Sequence, residues 1–184
     1  TYKEGKPSIV YFDPSSEWAK LHSGLLKAFP GNLVTVVDYT RDNSKLLFYV
    51  HADRNPGEYY VLDRATNKVQ LINQTMPWIK PASLASTMPI SFTTRDGLTL
   101  HGFYTAPATP GPKPMIVMPH GGPHGPYDTW GYDSDAQFLA SRGYGVLQVN
   151  YRGSGGRGKK FQESGYREWG GQMQDDLAGG VQRA

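Results

Sequence analysis

The chain has 184 residues, a net charge of +3, twelve Tyr, seven Phe, four Trp and no Cys. That is enough apolar and aromatic material for one medium domain or two small ones, and the missing cysteines exclude disulfides and thiolate metal sites without separating cytoplasm from periplasm. Basic residues are scattered except around Arg152 to Lys160, which does not read as a nucleic-acid footprint, and no apolar run approaches the roughly 20 residues of a membrane helix.

Residues 8–12 form a short β-prone run. Asp13-Pro14 follows as N-cap and first helical position. Trp18, Leu21, Leu25 and Phe29 then recur at helical spacing until Pro30-Gly31 ends the pattern. Strands are predicted at 33–39, 45–51, 58–63 and 68–72, with turn chemistry at 41–44, 54–57 and 64–67. Such an antiparallel meander has the size of one β-propeller blade, or of an ordinary four-stranded sheet. Its unpaired edges predict a homo-oligomer of the fragment. A connector, 73–87, holds Pro77, Trp78 and Pro81; its Asn73-Gln74-Thr75 is a glycosylation sequon with nothing else to support it.

From Met88 the pattern changes. Strands at 88–94 and 98–105 flank Arg95-Asp96-Gly97, a hairpin signal. Met115 to Met118 is apolar without alternation, which suits a buried parallel strand, and it opens past Pro119 into His120-Gly121-Gly122-Pro123. Residues 132–141 read as a helix with Phe138 and Leu139 on one face, closed by Gly143; residues 144–149 are another strand. The order hairpin, strand, helix, strand, loop, helix predicts an α/β layer on a parallel sheet. The boundary falls between residues 86 and 87.

Three features bear on chemistry. A strand ending in Gly-Gly-Pro can turn a backbone N–H into the crevice above a sheet, or can be a plain surface turn. Gly153, Gly155 and Gly158 fit a dinucleotide fingerprint, and Gly153, Gly158 and Lys159 fit most of a P-loop. However, Lys160 stands where a P-loop has its Ser or Thr, and the residues after it carry no apolar helical stripe. His120 and His124 are four apart, but the glycines and proline between them prevent the helix a zinc pair would need.

Together, HGGPHG, GYGVLQVNYRGSGGRG and EWGGQMQDDLAGGV resemble the prolyl oligopeptidase family of serine peptidases. ISFTTRDGLTLHGFY resembles the family's passage from β-propeller to α/β-hydrolase domain. His120 stands where the prolyl oligopeptidase and dipeptidyl-peptidase branches place a Tyr, so the likeness is to the acylaminoacyl-peptidase and dipeptidyl-aminopeptidase-like branch. The resemblance implies an α/β fold class: an antiparallel β-meander, the last propeller blade, over 1–86, then a partial α/β-hydrolase domain over 87–184. It implies Gly122 as the oxyanion-hole N–H, His120, Gly121 and Arg152 as supports of that loop, and structural roles for Trp169, Gly170 and Asp176. It implies a peptide substrate, with no cofactor, metal, nucleic acid or membrane partner. No Gly-x-Ser-x-Gly occurs, and Ser154 sits in Gly-Ser-Gly without the strand-turn-helix context of a nucleophile. The chain starts without Met and its last residues, from Asp175, stop inside a helical pattern. The expectation is therefore a fragment cut before the nucleophile elbow, with the triad beyond Ala184 and no activity of its own. The alternatives are an esterase-type α/β-hydrolase and a non-catalytic module that binds a peptide or partner at a sheet edge.

Overall fold

The computed structural model describes residues 1–3, 5–122 and 124–182; Pro123 of the glycine loop and residues 183–184 lie outside them. Two two-residue strands, β1 (Tyr2–Lys3) and β2 (Lys6–Pro7), precede helix α1 (Glu17–Ala28). Strands β3 (Leu33–Tyr39), β4 (Lys45–Ala52), β5 (Asn55–Asp63) and β6 (Lys68–Gln74) follow. After the connector come β7 (Ser86–Thr93), β8 (Thr99–Ala106), β9 (Met115–Val117), α2 (Ser134–Ser141), β10 (Gly145–Asn150), α3 (Lys159–Glu163) and α4 (Gln172–Val181). By internal contacts the chain divides into two units, one built mainly from Pro7–Leu84, the other mainly from Ala85–Trp130 and the residues from Ser134 on.

In the first unit, β3 to β6 pair antiparallel in sequence order. Alternation along β4 sends Leu46, Phe48, Val50 and Ala52 to one face, all buried. α1 lays Leu25, with Leu21 and Phe29 beside it, against that face. Phe29 meets Phe48 edge-on and Tyr60 at a tilt, with centroids 5.7 and 4.9 Å apart, geometries that aromatic pairs prefer. His22 Nε2 lies 2.8 Å from Val34 O and ties the helix to β3.

The N-terminal detail differs from expectation. Residues 8–12 form no strand, and Ile9, Val10 and Phe12 are exposed. α1 starts later, with Ser16 as its N-cap, its hydroxyl accepting from Ala19 N at 3.3 Å. Asp13 instead closes the turn before the helix, accepting from the N–H and hydroxyl of Ser15. Two side chains of capping chemistry stand three apart, and the nearer one wins because its oxygen reaches the first helical amides. The 54–57 turn is also tighter than predicted, since β5 begins at Asn55, opposite Ala52.

The second unit is one four-stranded sheet in the order β7-β8-β10-β9. It is mixed, not wholly parallel. β7 and β8 form the hairpin around Arg95-Asp96-Gly97, and β8 then pairs antiparallel with β10. Among the described residues of this sheet, only β9 and β10 run parallel. Every residue of β10 is buried, as suits a central strand covered on both faces. Leu147 and Val149 pack with Leu100 and with Leu177 of α4. α2 packs on the same strand. It buries Ala136, Gln137 and Ala140, whereas Phe138 is exposed beneath Arg142. Small residues let the helix come close to the sheet, and Gln137 bonds both the N–H and the C=O of Ala85.

Candidate functional site: the glycine loop after β9

β9 is the margin of its sheet among the described residues, and all three of its residues are half-buried. The apolar run 115–118 reports burial against one parallel neighbour rather than enclosure on both sides, since an apolar string carries no information about how many strands flank it. The ladder continues to Met118, whose N–H donates to Leu147 O at 2.9 Å. The chain then leaves the sheet at Pro119. Gly121 and Gly122 are exposed. Gly122 has φ +145°, a region that strains L side chains, and a Cβ there would sit 3.1 Å from His124 N and 3.3 Å from the Pro126 ring. Its N–H donates to no described residue.

The loop is fastened to the segment that follows β10. The His120 ring stacks on Tyr151 at 4.5 Å and 15°. The Tyr151 hydroxyl donates to His120 O at 2.9 Å; burial, aided by the charge of Asp128, pushes this phenol above its ordinary pKa, so it remains a donor. His120 Nε2 lies 2.8 Å from Ser154 Oγ, and Nδ1 lies 2.8 Å from Gly121 O. Two backbone bonds at 3.2 Å, Gly125 N–H to Gly153 O and Gly155 N–H to Pro126 O, complete the seam. Approach is so close at Gly155 that a Cβ would lie 2.1 Å from Gly125 O.

Arg152 is buried beneath this seam and its donors are all engaged. Nε and Nη2 reach the two oxygens of Asp176 at 2.8 Å each. Nη1 and Nη2 reach Asp96 at 2.9 and 3.1 Å, and Nη1 also donates to Gln172. The Asp176 carboxylate, before Asp96, raises the guanidinium pKa against the effect of burial. The Arg152 guanidinium, then the Thr94 hydroxyl, hold Asp96 well below the usual carboxylate range. A cleft of about 270 Å³ opens here, lined by Thr93, Asp96, Gln172, Asp175 and Gly179 among others. Arg152 offers it no unspent donor.

Of the residues singled out from sequence, His120, Gly121 and Gly122 thus share one loop, and Arg152 lies on the segment that anchors it. Tyr151 and Ser154 were not singled out as supports, nor were Asp96 and Gln172. The only sequence signal for Tyr151 and Ser154 is their place beside Arg152, because their contacts span some thirty residues. Ser154 is wholly buried, its Oγ 2.6 Å from Tyr151 O and 2.8 Å from His120 Nε2, with one hydroxyl hydrogen to serve one of the two. His124 turns away from His120: its Nε2 takes the Trp169 indole N–H at 3.3 Å, with Tyr166 edge-on. In the 153–158 loop the N–H groups of Gly153, Ser154 and Gly155 all donate within the chain. A helix does follow Gly158, but α3 has only five residues. Gly170 has φ +70°, and Asp176 is the buried partner of Arg152.

Residues 130–184 match the prolyl oligopeptidase family. Dipeptidyl aminopeptidase BIII of Pseudoxanthomonas mexicana is 35% identical over 84% of this chain and 24% of its own length. Dipeptidyl peptidase family member 6 of Caenorhabditis elegans is 30% identical over 87% of this chain and 25% of its own. A structure of Pyrococcus horikoshii acylaminoacyl peptidase superimposes with a TM-score of 0.63 at 25% identity, covering 84% of this chain and 24% of that one. The chain therefore spans about a quarter of the length of these relatives.

Proposed function

This chain belongs to the prolyl oligopeptidase family, and on that footing we propose that it carries one half of the oxyanion hole of a serine peptidase acting on short peptides. In the complete protein a serine outside these 184 residues, its proton taken by a histidine that an aspartate orients, attacks the scissile carbonyl. The N–H of Gly122 and that of the residue after the serine receive the developing negative charge. The amine leaves with the proton held by the histidine, and water then hydrolyses the acyl-enzyme. Residues 1–86 are the end of a propeller that restricts entry, and residues 87–184 are the first half of an α/β-hydrolase domain. His120, Gly121 and Arg152 support the loop.

The observation that carries this reading is the Gly122 amide: exposed, unspent on any described residue, and set just past β9, which pairs parallel with β10. A donor must be free in the ground state to serve an anion that exists only in the transition state.

The test is replacement of the Gly122 amide by an ester in the complete protein, which removes the N–H and keeps the backbone shape. Turnover falls about 10²–10³-fold with KM little altered; unchanged turnover removes Gly122 from the role. Gly122→Pro is a poorer probe, because proline fixes φ near −65° and this position sits at +145°. A panel of peptide amides and simple esters separates the peptidase from an esterase built on the same fold.

A further inference from the structure

We propose that Ser154 and Tyr151 are positioning residues that aim the Gly122 N–H through His120, an inference that rests on the peptidase reading above. The argument begins with the peptide plane. The carbonyl of Gly121 and the N–H of Gly122 belong to one planar trans unit and point in opposite directions. Whatever holds the carbonyl therefore aims the N–H. What holds it is His120 Nδ1, at 2.8 Å. A carbonyl oxygen only accepts, so this contact needs the hydrogen on Nδ1. In the neutral ring Nε2 is then a lone pair, and Ser154 Oγ–H at 2.8 Å is its donor. Tyr151 O keeps the Ser154 N–H at 3.0 Å. If the ring is doubly protonated, both nitrogens donate and the Ser154 hydroxyl turns to Tyr151 O, 2.6 Å away. In either state the hydrogen on Nδ1 is retained.

In the neutral ring Ser154 thus selects the tautomer that grips Gly121, and the linked bonds polarise the Gly122 N–H as a donor. Tyr151 fixes the preceding plane by its hydroxyl on His120 O and fixes the ring by stacking. Neither residue can meet substrate, since Ser154 is 0% and Tyr151 6% exposed. Strand pairing does not do this work, because β9 and β10 share only three paired positions.

The experiment compares Ser154→Ala and Tyr151→Phe with the Gly122 ester variant in the complete protein. Readouts are kcat, KM, the Ki of a peptidyl trifluoromethyl ketone, which forms an oxyanion when bound, and thermal midpoint. Each substitution lowers kcat about tenfold, the size of one hydrogen bond. Ki weakens in proportion, while KM stays unchanged. Tyr151→Phe keeps the ring stack and so remains informative if Ser154→Ala folds poorly. Loss of turnover in the ester variant alone, with both side-chain variants at wild-type kcat and Ki, overturns this inference and leaves the peptidase reading standing. Full turnover in the ester variant overturns both.

Discussion

Arg152 grips Asp176 with two parallel donors, Nε on Oδ2 and Nη2 on Oδ1, each 2.8 Å long, and both side chains are enclosed, at 5% and 1% exposure. Oδ2 also accepts the Arg152 backbone N–H at 2.9 Å. The strand end, the loop after it and α4 are joined at this one carboxylate. Breaking a buried pair by removing one partner strands the other charge, which costs about 3–5 kcal/mol. Asp176→Ala is expected to lower the unfolding free energy by that amount in urea titration, and Arg152→Lys to lose much of it because a point charge cannot reproduce the fork.

The pH dependence follows from Asp96. Its pKa is depressed in the folded state, chiefly by the Arg152 guanidinium. A carboxylate of this kind contributes stability that is fully present above its unfolded pKa, about 4, and is lost as pH falls through the lower folded value. Thermal midpoints measured downward from pH 5 are expected to drop, and Asp96→Asn to flatten that drop while lowering stability at neutral pH. The side chain is 46% exposed, so solvent screens the effect and added salt should shrink it.

Much of the architecture is legible in the sequence, and the reasons are local. Alternation at Leu46, Phe48 and Val50 announces a one-sided strand, and Arg95-Asp96-Gly97 announces a hairpin, because period and turn chemistry are properties of adjacent residues. What was misread depends on distance. Asp13 and Ser16 offer the same cap chemistry, and only the helix geometry chooses between them. The pattern sets Phe138 and Leu139 on one face of the helix, but α2 docks through Ala136 and Ala140, whose small size no hydrophobicity pattern rewards. The half-buried margin at β9 and the single parallel pair were hidden because an apolar run does not state its neighbours. In the candidate site, the glycine loop was visible by composition. Its hold by Tyr151 and Ser154 was not, for stacking and a buried hydroxyl bond between segments some thirty residues apart leave no spacing rule.

Ser154 has the appearance of a nucleophile beside a base, with His120 Nε2 at 2.8 Å. It is wholly buried, so no acyl carbonyl reaches Oγ. The 184-residue chain is expected to take no label from a fluorophosphonate and to leave peptide and ester substrates unchanged. Stoichiometric labelling, located by mass spectrometry, would contradict this.

At Gly155 the obstacle to any side chain is a backbone oxygen, which cannot swing aside as a flexible side chain could. Gly155→Ala is expected to force the two loops apart at a cost of about 1–3 kcal/mol, the range for overpacking, measured by chemical denaturation. Gly131→Ala, where a Cβ meets nothing within 4 Å, serves as the comparison and should be close to neutral.

The seam between 120–126 and 151–155 also bears on how such a protein can be altered. The ring stack, the Tyr151 hydroxyl bond, the His120–Ser154 contact and two backbone bonds run from one segment to the other, so the shape of each leans on its neighbour. Transplanting the glycine loop alone into a related scaffold would deliver the letters without their geometry. The two stretches behave as a single cassette, to be moved, recombined or diversified together.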